Sequence, residues 1–119
     1  AIAGAADMPA AAAELLALGP RAVLLKGGHL AGADVLDILA TADGETRFES
    51  PRLDTPHTHG TGCTLASSIA AGLAQGLGVA DAVARARAYV HRAIETAPGL
   101  GHGHGPLDHG HAIPAYRVD

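Results

Sequence analysis

Residues 8–28 read MPAAAAELLALGPRAVLLKGG. Met8 to Leu18 is a run of strong helix formers, with Asp7 placed to cap it and Pro9 tolerated in a first turn. Gly19-Pro20 ends that helix. Ala22 to Leu25 is then an uninterrupted apolar run, closed by Lys26 and two glycines. That is the pattern of a strand buried on both faces, as in a parallel sheet. A helix followed at once by a buried strand is half of a βαβ unit, so the chain is expected to be an α/β protein.

Beyond this stretch, ADVLDILAT (residues 33–41) reads as a second strand and Ala42-Asp43-Gly44-Glu45 as a turn. TRFESPRL alternates weakly after it, so residues 35–53 are expected to form a β-hairpin. From Thr64 the spacing turns helical, with Leu65, Ile69, Leu73 and Leu77 on one face. Gly76 and Gly78 stop that helix. The next one carries Val79, Val83, Ala86, Val90 and Ile94 on its apolar face, with Arg85, Arg87, Arg92 and Glu95 toward water. Pro98-Gly99 ends it, and residues 98–119 form a Gly- and His-rich tail without a period. The whole of 1–119 reads as one domain in which helices cover a largely parallel sheet.

With 119 residues, 48% hydrophobic and 17% charged, the chain is long enough for one modest core. A formal net charge of -4 and scattered basic residues argue against nucleic acid as a partner. Phe48, Tyr89 and Tyr116 make no stacking platform for bases. One cysteine cannot form an internal disulfide, so nothing calls for an oxidising compartment. The apolar N-terminal stretch lacks a basic n-region, and no window has the roughly 20 apolar residues a membrane helix needs. A soluble, cytoplasmic domain is expected. The chain opens without Met and without a cap or strand, which suggests an excerpt of something longer.

The chemistry is concentrated in THGTGCTLASSIAAGLAQG, residues 58–76. Gly60-Thr61-Gly62-Cys63 stands at the mouth of a helix, where amides lack intrahelical partners and the peptide dipoles favour an anion. Glycines there remove the Cβ atoms that would hold a phosphate oxygen away. Cys63 is a candidate proton acceptor or nucleophile; the alternative is a small thiol packed under a Gly-rich turn. No GxxxxGK[ST] is present, so this is not a P-loop. Lys26 ends the buried run, where open α/β sheets bind ligands, and could reach phosphate oxygens. His102, His104, His109 and His111 raise the question of a metal, but no Cys or carboxylate pattern completes a tetrahedral site, and no metal site is assigned. Asp34, Asp37, Asp54 and Asp81 are scattered, with no pair spaced as an acid–base couple.

KGGH, ADVLD, RLDTPHTHGTGCTLASSIAAGLAQG and GHGHGPLDH, in that order, resemble the hydroxymethylpyrimidine/phosphomethylpyrimidine kinases of the ribokinase-like superfamily. The resemblance runs over nearly the whole chain and corresponds to the C-terminal half of that family. It implies part of a three-layer α/β/α fold with a largely parallel sheet. It also implies ATP- and Mg-dependent phosphorylation of 4-amino-5-hydroxymethyl-2-methylpyrimidine, then of its monophosphate, in thiamin biosynthesis. By the resemblance, the amides from Gly60 through Thr61 and Gly62 to Cys63 form an anion hole for the transferred γ-phosphoryl. Cys63 takes the substrate hydroxyl proton or orients that hydroxyl. Lys26 lies along the nucleotide phosphates, and Thr58 and His59 shape the loop beside them.

Two departures stand out. His57 occupies a position that is usually Asn in the family, and the half that supplies most of the pyrimidine pocket is missing. Half of a parallel sheet leaves an open edge and an uncovered apolar face. A companion chain, a remainder of the same chain or a homo-oligomer is therefore expected to complete it. The alternatives are a pyridoxal-type kinase using the same loop, a non-catalytic fragment that associates with itself or a partner, and a metal-binding His tail.

Overall fold

The computed structural model describes residues 2–114. They fall into two compact units, Ala1–Arg52 and Leu53–Asp119.

In the first unit a 3-10 turn, Ala5–Asp7, leads into α1 (Met8–Leu16), followed by β1 (Ala22–Lys26), β2 (Asp34–Thr41) and β3 (Gly44–Pro51). Asp7 does not cap α1 through its side chain. Its carboxylate instead accepts the amides of Ala3 (2.8 Å) and Gly4 (3.2 Å), closing the turn before the helix. At the far end Gly19 adopts φ +107°, a conformation costly for any residue with a Cβ, and the helix stops.

The expected hairpin is present: β2 and β3 pair antiparallel, with Thr41 opposite Gly44 across the Ala42-Asp43 turn. The expected largely parallel sheet is not what these strands make. β1 also pairs antiparallel with β2, Leu25 opposite Ile38, giving the order β1-β2-β3. The short connection Gly27–Ala33 explains the direction, because a parallel return needs a crossover of about a dozen residues or more. Nor is β1 buried on both faces: Ala22 to Leu25 are half-buried, and the fully buried run is Asp37–Ala40 of β2. Met8 and Ala12 of α1 pack on Ile38 and Ala40, with Leu16, Leu25, Leu30 and Leu36 around them. Ala12 lets the helix lie close to the sheet.

The second unit holds α2 (Thr61–Ala74) and α3 (Val79–Glu95). α2 begins one turn earlier than the apolar spacing indicates, directly after Gly60. The helices pack through small residues; a Cβ on Gly72 would lie 3.0 Å from that of Ala82. On α3, Val83, Ala86 and Val90 are buried as expected, joined by Ala82 and Ala93. On α2 only Leu65 of the expected apolar face is buried, while Leu73 is 47% exposed. Arg92 donates to Glu95 at 2.6 Å, and that hydrogen bond, with the guanidinium charge, holds the Glu95 carboxyl below its usual range. The tail is tied down where Leu107 is buried and Asp108 donates its amide to Ala93 at 2.9 Å. Tail residues 115–119, Tyr116 among them, lie outside the described residues. No helix among the described residues is long and apolar enough to cross a membrane.

Gly27 is the tightest backbone position of the first unit, since a Cβ there would run into the carbonyl oxygen of Leu36. Its amide meanwhile donates to the buried Asp37 carboxylate at 3.0 Å. Gly27→Ala is expected to lower stability by about 1–3 kcal/mol, read from the urea midpoint. An unchanged midpoint would mean that the two backbones are not held this close.

Candidate functional site

The approach to α2 is built by hydrogen bonds local to the backbone. Thr58 donates its amide to Pro56 (3.0 Å), and Thr61 donates to Thr58 (3.3 Å). Gly60 turns the chain with φ +83° and ψ 5°, in the left-handed region that favours glycine. Its carbonyl then accepts both the amide (2.9 Å) and the hydroxyl (2.8 Å) of Thr64, which fixes the first turn. No side chain caps the helix. The amides of Gly62 and Cys63 consequently donate to no other described residue, as the free ends of a helix dipole do.

Cys63 is exposed and unpaired by disulfide. With Thr64, Ser67 and Ser68 of α2, Tyr89 of α3 and His109 of the tail it lines an open cleft of about 460 Å³. Tyr89 braces the far wall: its hydroxyl donates to the His109 carbonyl at 2.8 Å, and its ring lies 4.5 Å from that of His111. This arrangement offers one exposed thiol, several hydroxyls and two unengaged amides.

The GHGHGP segment is the support of this loop. His59 donates its amide to Gly105 (3.3 Å) and bridges to Pro106, while a ring nitrogen of His104 meets the Pro56 carbonyl at 3.0 Å. The His57 ring packs where a Cβ on Gly105 would stand, and its Nδ1 is buried with no hydrogen-bond partner among the described residues. His57 therefore wedges the loop against the tail by shape. The side chains of Thr58 and His59 are exposed, so what they contribute inward is backbone. Among the described residues no group of three His, Cys, Asp or Glu could hold a metal ion. His104 and His111 each place a ring nitrogen on a backbone carbonyl.

Lys26 belongs to the first unit, exposed at the end of β1. The loop that follows it is held by a residue that the sequence does not single out. The Arg52 guanidinium donates to the carbonyls of Gly32 (2.9 Å), Gly28 (2.7 Å) and Leu30 (2.5 Å). No sequence pattern marks this role, because its partners are backbone groups 20 to 24 positions away.

The fold has solved counterparts. Pyridoxal kinase from Bacillus subtilis, in an ADP complex, matches with a TM-score of 0.85 and 34% identity, over 92% of this chain and 43% of that one. Pyridoxal kinase from Staphylococcus aureus, in complex with AMP-PCP, matches at 0.88 and 28% identity, over 99% and 44%. These define the chain as an α/β piece of the ribokinase-like class of small-molecule kinases. Within that class it belongs to the phosphomethylpyrimidine kinase family, whose model matches residues 1–108. The hydroxymethylpyrimidine/phosphomethylpyrimidine kinase of Streptomyces coelicolor is 54% identical over 90% of this chain and 39% of that protein. The thiamine biosynthesis bifunctional protein ThiED of Geobacter sulfurreducens is 52% identical over 87% of this chain and 21% of its own length. The chain thus spans well under half of the relatives it matches.

The glycines of GHGHGP are unequal. Gly105 faces the His57 ring and would place a Cβ 2.9 Å from the Leu100 carbonyl, whereas Gly103 has nothing within 4 Å. Gly105→Ala is expected to cost about 1–3 kcal/mol, and Gly103→Ala no more than about 0.5 kcal/mol, in matched urea titrations. Equal effects would show that the tail does not support the loop in this way.

Proposed function

We propose that the protein is an ATP-dependent hydroxymethylpyrimidine and phosphomethylpyrimidine kinase of thiamin biosynthesis, in which this chain supplies the nucleotide and anion-hole half. The observation that carries the reading is the start of α2, where left-handed Gly60 leaves the amides of Gly62 and Cys63 without partners. Phosphoryl transfer needs little covalent help from a protein; positioning and charge stabilisation do most of the work. Donors already aimed at the place where charge develops act without reorganising.

In the reaction the substrate hydroxymethyl oxygen forms a bond to the γ-phosphorus as the bond to the bridging oxygen breaks, and ADP leaves. The turn from Gly60 through Thr61 and Gly62 to Cys63 holds the equatorial oxygens of the group in transit. Cys63, exposed at the same turn, accepts the hydroxyl proton as a thiolate or orients the hydroxyl for attack. Lys26 lies along the nucleotide phosphates, and the backbone of Thr58 and His59 shapes the loop. Mg bound with the nucleotide would neutralise charge on its phosphates; no group of three His, Cys, Asp or Glu among the described residues would hold it apart from the nucleotide. The location that goes with this activity is the cytoplasm, where ATP is available.

Both units then belong to one kinase domain, with β1 continuing into the largely parallel sheet of a three-layer α/β/α fold. Support comes from the edge of β1 opposite β2, which has no strand beside it among the described residues. Exposed Leu18 (81%) and Leu73 (47%) support completion by further polypeptide, whether a remainder of the chain, a companion or a second copy. A pyridoxal-type kinase is the competing reading, favoured by the solved structures; the identity to pyrimidine kinases is higher.

The test is phosphate transfer from ATP and Mg to hydroxymethylpyrimidine and, in parallel, to pyridoxal, by the purified protein and its Cys63→Ala variant. The pyrimidine is expected to be the better acceptor. Cys63→Ala is expected to lower kcat by about 10²-fold or more while nucleotide affinity is largely kept. Full turnover in the variant would leave the thiol a packing group, and preference for pyridoxal would move the assignment to the competing kinase.

A further inference from the structure

The loop between β1 and β2 is held from two sides. The buried Asp37 carboxylate accepts the Gly27 amide at 3.0 Å, fixing where the loop leaves the strand. Leu30 donates back to the Gly27 carbonyl at 2.9 Å, closing a turn. On the other side the Arg52 guanidinium collects the carbonyls of Gly28, Leu30 and Gly32, while the Arg52 amide donates to Ala33 at 2.8 Å. Among the described residues Arg52 has no carboxylate partner, so its full charge is directed at carbonyl oxygens. Such charge-assisted bonds are the stronger class, and the planar fork sets their directions.

A trans peptide is planar, with its C=O and N–H pointing to opposite sides. Turning the carbonyls of Gly28, Leu30 and Gly32 onto Arg52 therefore turns the amides of His29, Ala31 and Ala33 away from it. Those amides donate to no described residue, and all three residues are exposed. The loop that follows Lys26 thus carries three unengaged N–H groups, on alternate residues, turned away from Arg52. Unengaged backbone amides gathered on one stretch of loop can receive an anion whatever the side chains are.

We propose that Arg52 is a positioning residue of the nucleotide site: it organises residues 27–33 so that their unengaged amides, with Lys26, receive the phosphates of a nucleoside di- or triphosphate. The proposal rests on the kinase reading above and adds to it the residue that shapes the phosphate loop. Arg52 itself spends its donors on the loop and makes no contact with the ligand. Lysine is a poor substitute, since a point charge on a flexible stem cannot span three carbonyls in fixed directions.

The test uses the purified protein, with ADP as the probe, and compares Arg52→Lys and Arg52→Ala with the parent. If the ordered loop falls to a tenth of the population without the guanidinium fork, the apparent Kd for ADP rises about 10-fold. The same rise is expected in KM for ATP, with kcat and the acceptor KM unchanged. Amide exchange of residues 28–33 should accelerate in both variants, and ADP should slow it again. General destabilisation would behave differently, lowering the folded fraction and hence apparent kcat without shifting Kd. Unchanged ADP affinity in folded Arg52→Lys, or in Arg52→Ala, would overturn the proposal even with exchange accelerated, as would full affinity retained by the lysine variant alone. A parent protein that binds no ADP would overturn the kinase reading and this proposal together. One that binds ADP but phosphorylates no pyrimidine would overturn only the assigned substrate, leaving Arg52 to be judged on affinity.

Discussion

The left-handed turn at Gly60 is the constraint on which the second unit depends. With φ at +83° the carbonyl of Gly60 is set to receive both hydrogen bonds of Thr64, so the helix begins there without a capping side chain. A Ser or Asp cap would have supplied the same stability and consumed an amide. Here the amides of Gly62 and Cys63 stay unspent, at the positive end of α2, beside the sole thiol of the chain. The helix start thus keeps two donors free for an acceptor from outside the described residues.

That turn is supported from a distance. The GHGHGP segment runs beside the loop, accepting the His59 amide and lodging the His57 ring against Gly105. Three of the four tail histidines thereby acquire particular meanings. His104 holds the Pro56 carbonyl, His111 packs on Tyr89, and His109 lines the cleft of Cys63. The first unit follows a parallel logic, with Asp37 holding one end of the loop after β1 and Arg52 holding its carbonyls. In both units a glycine-rich loop is immobilised through its carbonyls or flanks while amides are left free.

How much of this was legible depended on how local the cause was. The face of α3 could be read residue by residue, because a strongly two-sided helix settles its own orientation. The β2–β3 hairpin followed from the turn at Ala42-Asp43, and the turn that opens α2 from the glycines around Cys63. The antiparallel pairing of β1 with β2 could not be read from Ala22–Leu25, because such short runs look alike in parallel and antiparallel sheets; loop length was the better guide. Leu73 reads as core yet is exposed, since periodicity shows which face is apolar but not what covers it. Asp7 reads as a helix cap, yet it serves the preceding turn. Arg52 and the His57–Gly105 contact were out of reach, because they join residues distant in sequence through backbone groups and shape.

The measurement that tests the central claim most directly is amide NMR of Gly62 and Cys63 as AMP-PCP and Mg are added to the purified protein. The account predicts that both N–H resonances move downfield and their exchange with solvent slows, as amides that had no partner acquire a phosphate oxygen. Saturable nucleotide binding that leaves both resonances and their exchange unchanged would contradict it, and the Gly60 turn would then be a way of starting a helix and nothing more.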